Sequence, residues 1–194
     1  MLDFIIIGGG QAGLSMGYQL KKLDLSFLIL DKEKEVGASW LNRWNSLRLF
    51  TPTEFNHLEG LAFPAPKGHY PSKYEVADYF KRYKEKFQLP VQLNTLVNKV
   101  DKNNGVFAVF TDDDTLFARN IIVATGPFHL PYTPSFARHL KADILQVHSN
   151  YYNDPYQLQE GNTLVVGGGD SGFQILEELT QPPDHKVYFV FLLN

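Results

Sequence analysis

An α/β fold in two successive parts is what this sequence predicts, on three observations. A buried strand, a glycine turn, a helix and a second strand fill the first 31 residues. The same order returns 159 residues downstream, from Gly8 to Gly167, and a run of short strands lies between the copies.

Phe4-Ile5-Ile6-Ile7 is the continuous apolar run of a parallel strand buried on both faces. Gly8-Gly9-Gly10 follows, and a helical period then carries Leu14, Tyr18, Leu20 and Leu23. A second buried run, Phe27-Leu28-Ile29-Leu30, ends in Asp31, completing a βαβ unit. From Val36 to Pro71 periodicity disappears, as in the long irregular segments that often carry function. Ser72 and Glu75 form a capping box, after which Val76, Tyr79, Phe80, Tyr83 and Phe87 line one helix face up to Pro90.

Residues 91–124 read as short strands. Asn104-Gly105 marks a tight hairpin between Val97–Val100 and Val106–Phe110, Asp112-Asp113-Asp114 marks another turn, and Ile121–Ala124 reads as a buried strand. Leu164-Val165-Val166, Gly167-Gly168-Gly169 and a helix with Ile175, Leu176 and Leu179 then repeat the opening. Pro182-Pro183 ends that helix, and a last strand is expected from Val187 to Leu193.

Composition narrows the class. At 194 residues, with 44% hydrophobic and 20% charged, the chain can build a core and is neither disordered nor fibrous. A net charge of −3 is too balanced for a nucleic-acid binder that works by phosphate neutralisation. No run approaches the roughly 18 apolar residues of a membrane span, and Asp3 interrupts any signal-peptide reading, so a cytoplasmic protein is expected. There is no cysteine, hence no thiolate metal site, no cysteine nucleophile and no C-x-x-C redox pair. Six histidines at 57, 69, 129, 139, 148 and 185 show no ligand spacing, and no metal site is expected.

The glycine loops carry the chemistry. Gly8-x-Gly10-x-x-Gly13 and Gly167-x-Gly169-x-x-Gly172 share one spacing between strand and helix. In this Rossmann-like pattern the first glycine makes the turn, the second admits a pyrophosphate to the backbone, and the third lets helix and strand pack closely. The anion then sits on free amides at the helix start. Asp31, 18 residues past Gly13, stands where a carboxylate accepts a ribose 2′-hydroxyl and repels a 2′-phosphate. The first loop therefore suits FAD or NAD. In the second copy the residue that sorts NAD from NADP is expected beyond the strand ending Phe191-Leu192-Leu193-Asn194. Two hydrolase look-alikes fall away. Ser15, in Gly13-Leu14-Ser15-Met16-Gly17, is already inside the helix, and Gly169-Asp170-Ser171-Gly172 follows a buried strand without a triad signal.

The two loops, with Gly37-Ala38-Ser39-Trp40, Trp44 to Pro52, Tyr70-Pro71-Ser72-Lys73, Ala124-Thr125-Gly126 and His148-Ser149-x-x-Tyr152, resemble flavin-containing monooxygenase-like oxidoreductases, in particular a bacterial flavoprotein branch. The resemblance implies a Rossmann-like FAD-binding domain over 1–150, a parallel sheet with a small antiparallel meander, and the start of a second Rossmann-like NAD(P)-binding module over 151–194. It implies that Gly8, Gly10, Gln11, Ala12 and Gly13 hold the FAD pyrophosphate and that Asp31 and Lys32 hold the adenosine ribose. Ser39 and Trp40 would lie along the flavin, Val97 near the adenine, and Ala124, Thr125 and Gly126 beside the FAD. Gly167, Gly169, Asp170, Ser171 and Gly172 would take NADPH (or NADH).

Two features depart from the family pattern. Ala142 and Ile144 replace its phenylalanine and glycine ahead of His148, and Asp170 replaces its asparagine. Family members also continue well past residue 194, so the resemblance implies a C-terminally truncated chain. The implied activity is reduction of FAD by NAD(P)H, uptake of O2 and transfer of one oxygen atom to a small substrate. No side chain is singled out as catalytic, because the cofactor carries the chemistry. A pyridine-nucleotide disulfide reductase would need the absent cysteine pair. The alternative is a non-catalytic flavin-binding fragment that needs a partner, as a homo-oligomer or with a complementing chain, through the apolar strand 187–193.

Overall fold

The computed structural model describes residues 1–128, 130–181 and 186–191, which form two compact units. The first comprises Met1–Leu41 and Leu49–Leu130, the second Asn42–Arg48 and Pro131–Asn194. Within the second unit, residues 42–48 hydrogen-bond to the segments on either side of residue 150. Arg43 Nη1 donates to Asn150 Oδ1, and the Asn45 side-chain amide to Asp154.

The first unit is built on β1 (Leu2–Ile7), which pairs in parallel with β2 (Phe27–Leu30) on one side and β6 (Thr115–Val123) on the other. With β3 (Val91–Gln92), β4 (Val97–Asn103) and β5 (Val106–Thr111) the sheet runs β3-β2-β1-β6-β5-β4. Its β4–β5–β6 end is the expected antiparallel meander. Ile5 and Ile6 are both fully buried on opposite faces, which is why β1 reads as an unbroken apolar run. Ile6 and Ile29 meet Leu14 and Leu20 of α1 (Gln11–Lys22) and Val76, Tyr79 and Tyr83 of α3 (Lys73–Lys86). Ile5 and Leu30 meet Val109 and Ala118 of the meander.

Local sequence signals are realised closely. Ser72 and Glu75 make the reciprocal capping box at the start of α3. Asn104 (φ 49°) and Gly105 (φ 82°) supply the two positive φ values of the hairpin turn. Ser15 lies within α1.

Four expectations are corrected. Leu23 caps α1 and is 68% exposed, because the helix ends at Lys22 and its C-cap turns away from the core. Ile121–Ala124 is no separate buried strand: Ile121–Val123 is the end of the nine-residue β6, Ala124 follows it, and Val123 is 71% exposed. The meander packs lower on that face, at Val109 and Ala118. Within the irregular 36–71 stretch a short helix α2 (Ala38–Leu41) forms. In the second unit β7 (Thr163–Val166) pairs in parallel with β8, which spans Val187–Val190 and leaves Phe191 outside the ladder. Leu192 and Leu193, like Pro182-Pro183, His129 and His185, lie outside the described residues. Helix α4 (Asp170–Leu179) buries Ile175 and Leu179.

Candidate functional site

The first loop is shaped by contacts that only glycine allows. Gly8 turns at φ 109°, and a Cβ there would lie 2.4 Å from the Ala124 carbonyl oxygen. A Cβ on Gly13 would lie 1.9 Å from the Gly8 carbonyl oxygen. Helix α1 therefore starts directly on the end of β1. Around Gly10 the reverse holds: an added Cβ would meet nothing within 4 Å, and no side chain caps the helix. Open space over an uncapped helix start is what a pyrophosphate requires.

Asp31 closes the loop from the β2 side. Its Oδ2 accepts the Gly9 N–H at 2.6 Å and its Oδ1 the Glu33 N–H at 2.9 Å. Each oxygen keeps a lone pair for a further donor. The Asp31 carbonyl accepts the N–H of buried Thr95, two residues before Val97, and Val97 packs beside Leu30. The structure thus gathers Gly8, Gly10, Gly13, Asp31, Val97 and the Ala124-Thr125 backbone at one end of the parallel strands. Gln11, Ala12 and Lys32 are exposed at its rim. Gly126 follows with φ 70° and open space around it. Ser39 and Trp40 sit on α2, which packs on α3: Ser39 is exposed and Trp40 half-buried against the core. Gly9, Glu33 and Thr95 were not singled out by sequence. Asp31 with Glu33 two residues on is an Asx-type signal that could have found one of them.

The second loop repeats the geometry. Gly167 turns at φ 120°, a Cβ on Gly172 would lie 2.1 Å from the Gly167 carbonyl oxygen, and Gly169 is open and uncapped. Asp170 is exposed in the first turn of α4, beside half-buried Ser171. One expectation is corrected here. A Cβ on Gly168 would meet the Phe191 Cβ at 2.9 Å, just as one on Gly9 would meet the Asp31 carboxylate at 2.7 Å. Val190 accepts the Gly167 N–H as Leu30 accepts that of Gly8. Phe191, not a residue further on, therefore occupies the place of Asp31.

Around the fingerprint segment, Tyr152 is 3% exposed and donates its hydroxyl to Glu178 of α4 at 2.7 Å. Burial, reinforced by that carboxylate, pushes the phenol well above its ordinary range. The segment thus fastens the connection to α4. His148 Nδ1 accepts the Asn150 N–H, and His69 pairs with Glu75 at 2.8 Å. Among the described residues no group of three or more His, Cys, Asp or Glu could hold a metal ion, and no helix is long and apolar enough to cross a membrane.

Comparison with known proteins agrees with this geometry. The model of the pyridine nucleotide-disulphide oxidoreductase family matches residues 5–190. The chain is 46% identical over 188 residues to an uncharacterized CzcO-like oxidoreductase of Geobacillus kaustophilus, covering 97% of this chain and 53% of that protein. Against CzcO of Bacillus subtilis it is 46% identical over 181 residues, covering 93% and 52%. A solved flavin-containing monooxygenase from Stenotrophomonas maltophilia superposes with a TM-score of 0.92 at 34% identity, covering 100% of this chain and 58% of that one. The chain thus spans about half the length of the relatives it matches. The expected α/β fold and the flavin monooxygenase-like resemblance are borne out. The family's name refers to a disulphide, yet none of these 194 residues is a cysteine.

Proposed function

The chain belongs to the pyridine nucleotide-disulphide oxidoreductase family, and from that premise we propose that it is an FAD-dependent oxidoreductase of flavin monooxygenase type. It takes electrons from NADPH or NADH and uses O2 to oxygenate a small substrate. The observation that carries this reading is the double glycine loop, closed at Gly13 and Gly172 and open at Gly10 and Gly169. When bound, FAD reduced by NAD(P)H supplies the oxygen-activating chemistry.

The chain's own residues bind and orient. The amides of Gly10, Gln11, Ala12 and Gly13 offer donors to the FAD pyrophosphate at the positive end of α1. Asp31, pre-set by Gly9 and Glu33, accepts the ribose hydroxyls, with Lys32 at the rim and Val97 toward the adenine. Ser39, Trp40 and the Ala124-Thr125-Gly126 backbone flank the rest of the flavin. In the second loop Gly167, Gly169, Asp170, Ser171 and Gly172 receive the nicotinamide dinucleotide. On this reading residues 1–150 serve FAD, residues 151–194 open the nicotinamide module, and the protein works in the cytoplasm.

A second reading, a flavin-binding chain that turns over only with a partner, is favoured by one face of the β7–β8 pair. Leu164, Val166, Tyr188 and Val190 are all exposed there, at 57, 53, 55 and 44%. A second copy or a complementing chain would cover them.

One experiment separates these readings. The purified protein is examined for the visible flavin spectrum, with added FAD if needed, and NADPH is then added without oxygen. Bleaching supports the oxidoreductase. Yellow protein that NADPH cannot bleach supports the partner-dependent chain. Protein that takes up no FAD overturns both.

A further inference from the structure

Among the described residues, Lys73 is the one charged residue that is buried, at 3% exposed. Burying such a group is costly unless it is hydrogen-bonded, so its contacts are informative. Its Nζ donates to the carbonyl of Leu41, the last residue of α2, at 3.1 Å, and lies 5.0 Å from the Tyr74 ring centroid. Four residues along α3 is Ala77, and four further is Lys81, so the three share one face of the helix.

Each of the three meets the segment that carries α2. Lys81 Nζ pairs with Glu35 Oε2 at 2.6 Å, ahead of α2. Gly37, at φ 88°, comes so close that a Cβ on it would lie 2.7 Å from the Ala77 Cα. Lys73 takes the far end at Leu41. Segment 35–41 is therefore held antiparallel to α3 by three successive contacts, two of them polar and one a backbone approach that only glycine permits. Between the second and third contacts lie Ser39, which is exposed, and Trp40, half-buried against the core. Of the three, the Lys81–Glu35 pair is solvent-accessible and readily replaced by water, with side chains 40% and 35% exposed. The Lys73 bond is part-buried and made by a residue only 3% exposed, so its loss is less readily made good by solvent.

We propose that Lys73 is a positioning residue, holding the Ser39–Trp40 turn in the orientation in which it meets the flavin. This rests on the flavin reading of the first unit, but the mechanical half does not. Lys73 acts through the backbone of α2, so its loss should loosen Trp40 even without cofactor.

The test uses the full chain in a Trp44→Phe background, which leaves Trp40 as the one tryptophan. Lys73→Met, Lys73→Gln, Lys73→Arg and Lys81→Met are compared by far-ultraviolet circular dichroism, acrylamide quenching of Trp40 without cofactor, and FAD titration. The expected result is unchanged circular dichroism, clearly stronger Trp40 quenching in Lys73→Met, and FAD binding about tenfold weaker, the equivalent of one lost hydrogen bond. Lys73→Arg should recover most of both losses, and Lys81→Met should change either by less than about twofold. Should Lys73→Met fail to fold, Lys73→Gln, which keeps a donor without the reach, decides by the same readouts. Trp40 quenching equal to the parent's in folded Lys73→Met, or in Lys73→Gln where Lys73→Met does not fold, overturns the proposal. Altered quenching with unaltered FAD affinity overturns its flavin half. A parent that takes up no FAD overturns the flavin reading, while the quenching series still decides whether Lys73 holds the turn.

Discussion

A side-chain carbon on Gly13 would lie 1.9 Å from the carbonyl oxygen of Gly8, less than any van der Waals contact allows, and Gly172 stands to Gly167 in the same relation at 2.1 Å. The obstacle in each case is backbone, which cannot swing aside as a side chain could. Gly13→Ala must therefore push α1 off the end of β1. Overpacking of this kind costs about 1–3 kcal/mol, and the displaced helix start should also lose its FAD. Thermal unfolding and FAD titration check this. Gly10→Ala is the control, since its Cβ meets nothing within 4 Å and its fold should survive.

Asp31 is held before any ligand arrives, one oxygen on the Gly9 amide and the other on that of Glu33. Asp31→Asn turns an NH2 group toward one of those donors and leaves it unpaired. A lost buried partner costs about 1–3 kcal/mol. FAD affinity is expected to fall at least about tenfold in equilibrium titration. Unchanged affinity would remove Asp31 from the ribose site.

Much of this was legible in the sequence because the signals are local. A glycine spacing, a capping box and an Asn-Gly turn each act within a few residues, and the structure realises all three. Long-range consequences were not legible. Nothing near Ile121 reveals that it continues the strand begun at Thr115, because one half of β6 answers to β5 and the other to β1. The burial of Lys73 was equally hidden: a lysine in the first turn of an amphipathic helix reads as solvated until Leu41 is placed above it. Asp31 was legible by its position, whereas Phe191 was overlooked because its equivalence depends on contact with Gly168 rather than on a count of residues.

The capping carboxylate Glu75 sets a pH dependence. Burial pushes its pKa up, but hydrogen bonds from the Ser72 amide and hydroxyl and from His69 outweigh this and hold it below the usual carboxylate range. A depressed carboxyl adds stability that is present above the unfolded pKa, near 4.3, and lost as pH falls through the lower folded value. Between pH 6 and 3 the parent should lose more thermal stability than Glu75→Gln, whose amide can still complete the box. Parallel melting curves across that range would show that the carboxylate contributes no such linkage.

Tyr152 and Glu178 fasten the fingerprint segment to α4 through one buried hydroxyl. Tyr152→Phe removes that donor without changing the ring's packing and is expected to cost about 1–2 kcal/mol in thermal or urea unfolding. Glu178→Gln should weaken the same bond, so the double variant should cost less than the sum of the two. Strict additivity would mean that the two residues do not act on each other.

On the proposed reading of the second loop, Phe191 bears on which dinucleotide it would accept. At the place where the first loop has the Asp31 carboxylate, the second presents the apolar ring of Phe191, which itself neither accepts a ribose 2′-hydroxyl nor repels a 2′-phosphate. The parent should therefore discriminate only weakly between NADH and NADPH at this position. Phe191→Asp restores the arrangement seen at Asp31 and Gly9, and like-charge repulsion should then act on the 2′-phosphate alone. A relative loss of NADPH affinity of about tenfold, or 1.4 kcal/mol, is expected, with NADH binding retained. Parallel titrations of the two nucleotides measure the ratio. If Phe191→Asp leaves it unchanged, the equivalence of Phe191 and Asp31 does not extend to the ligand.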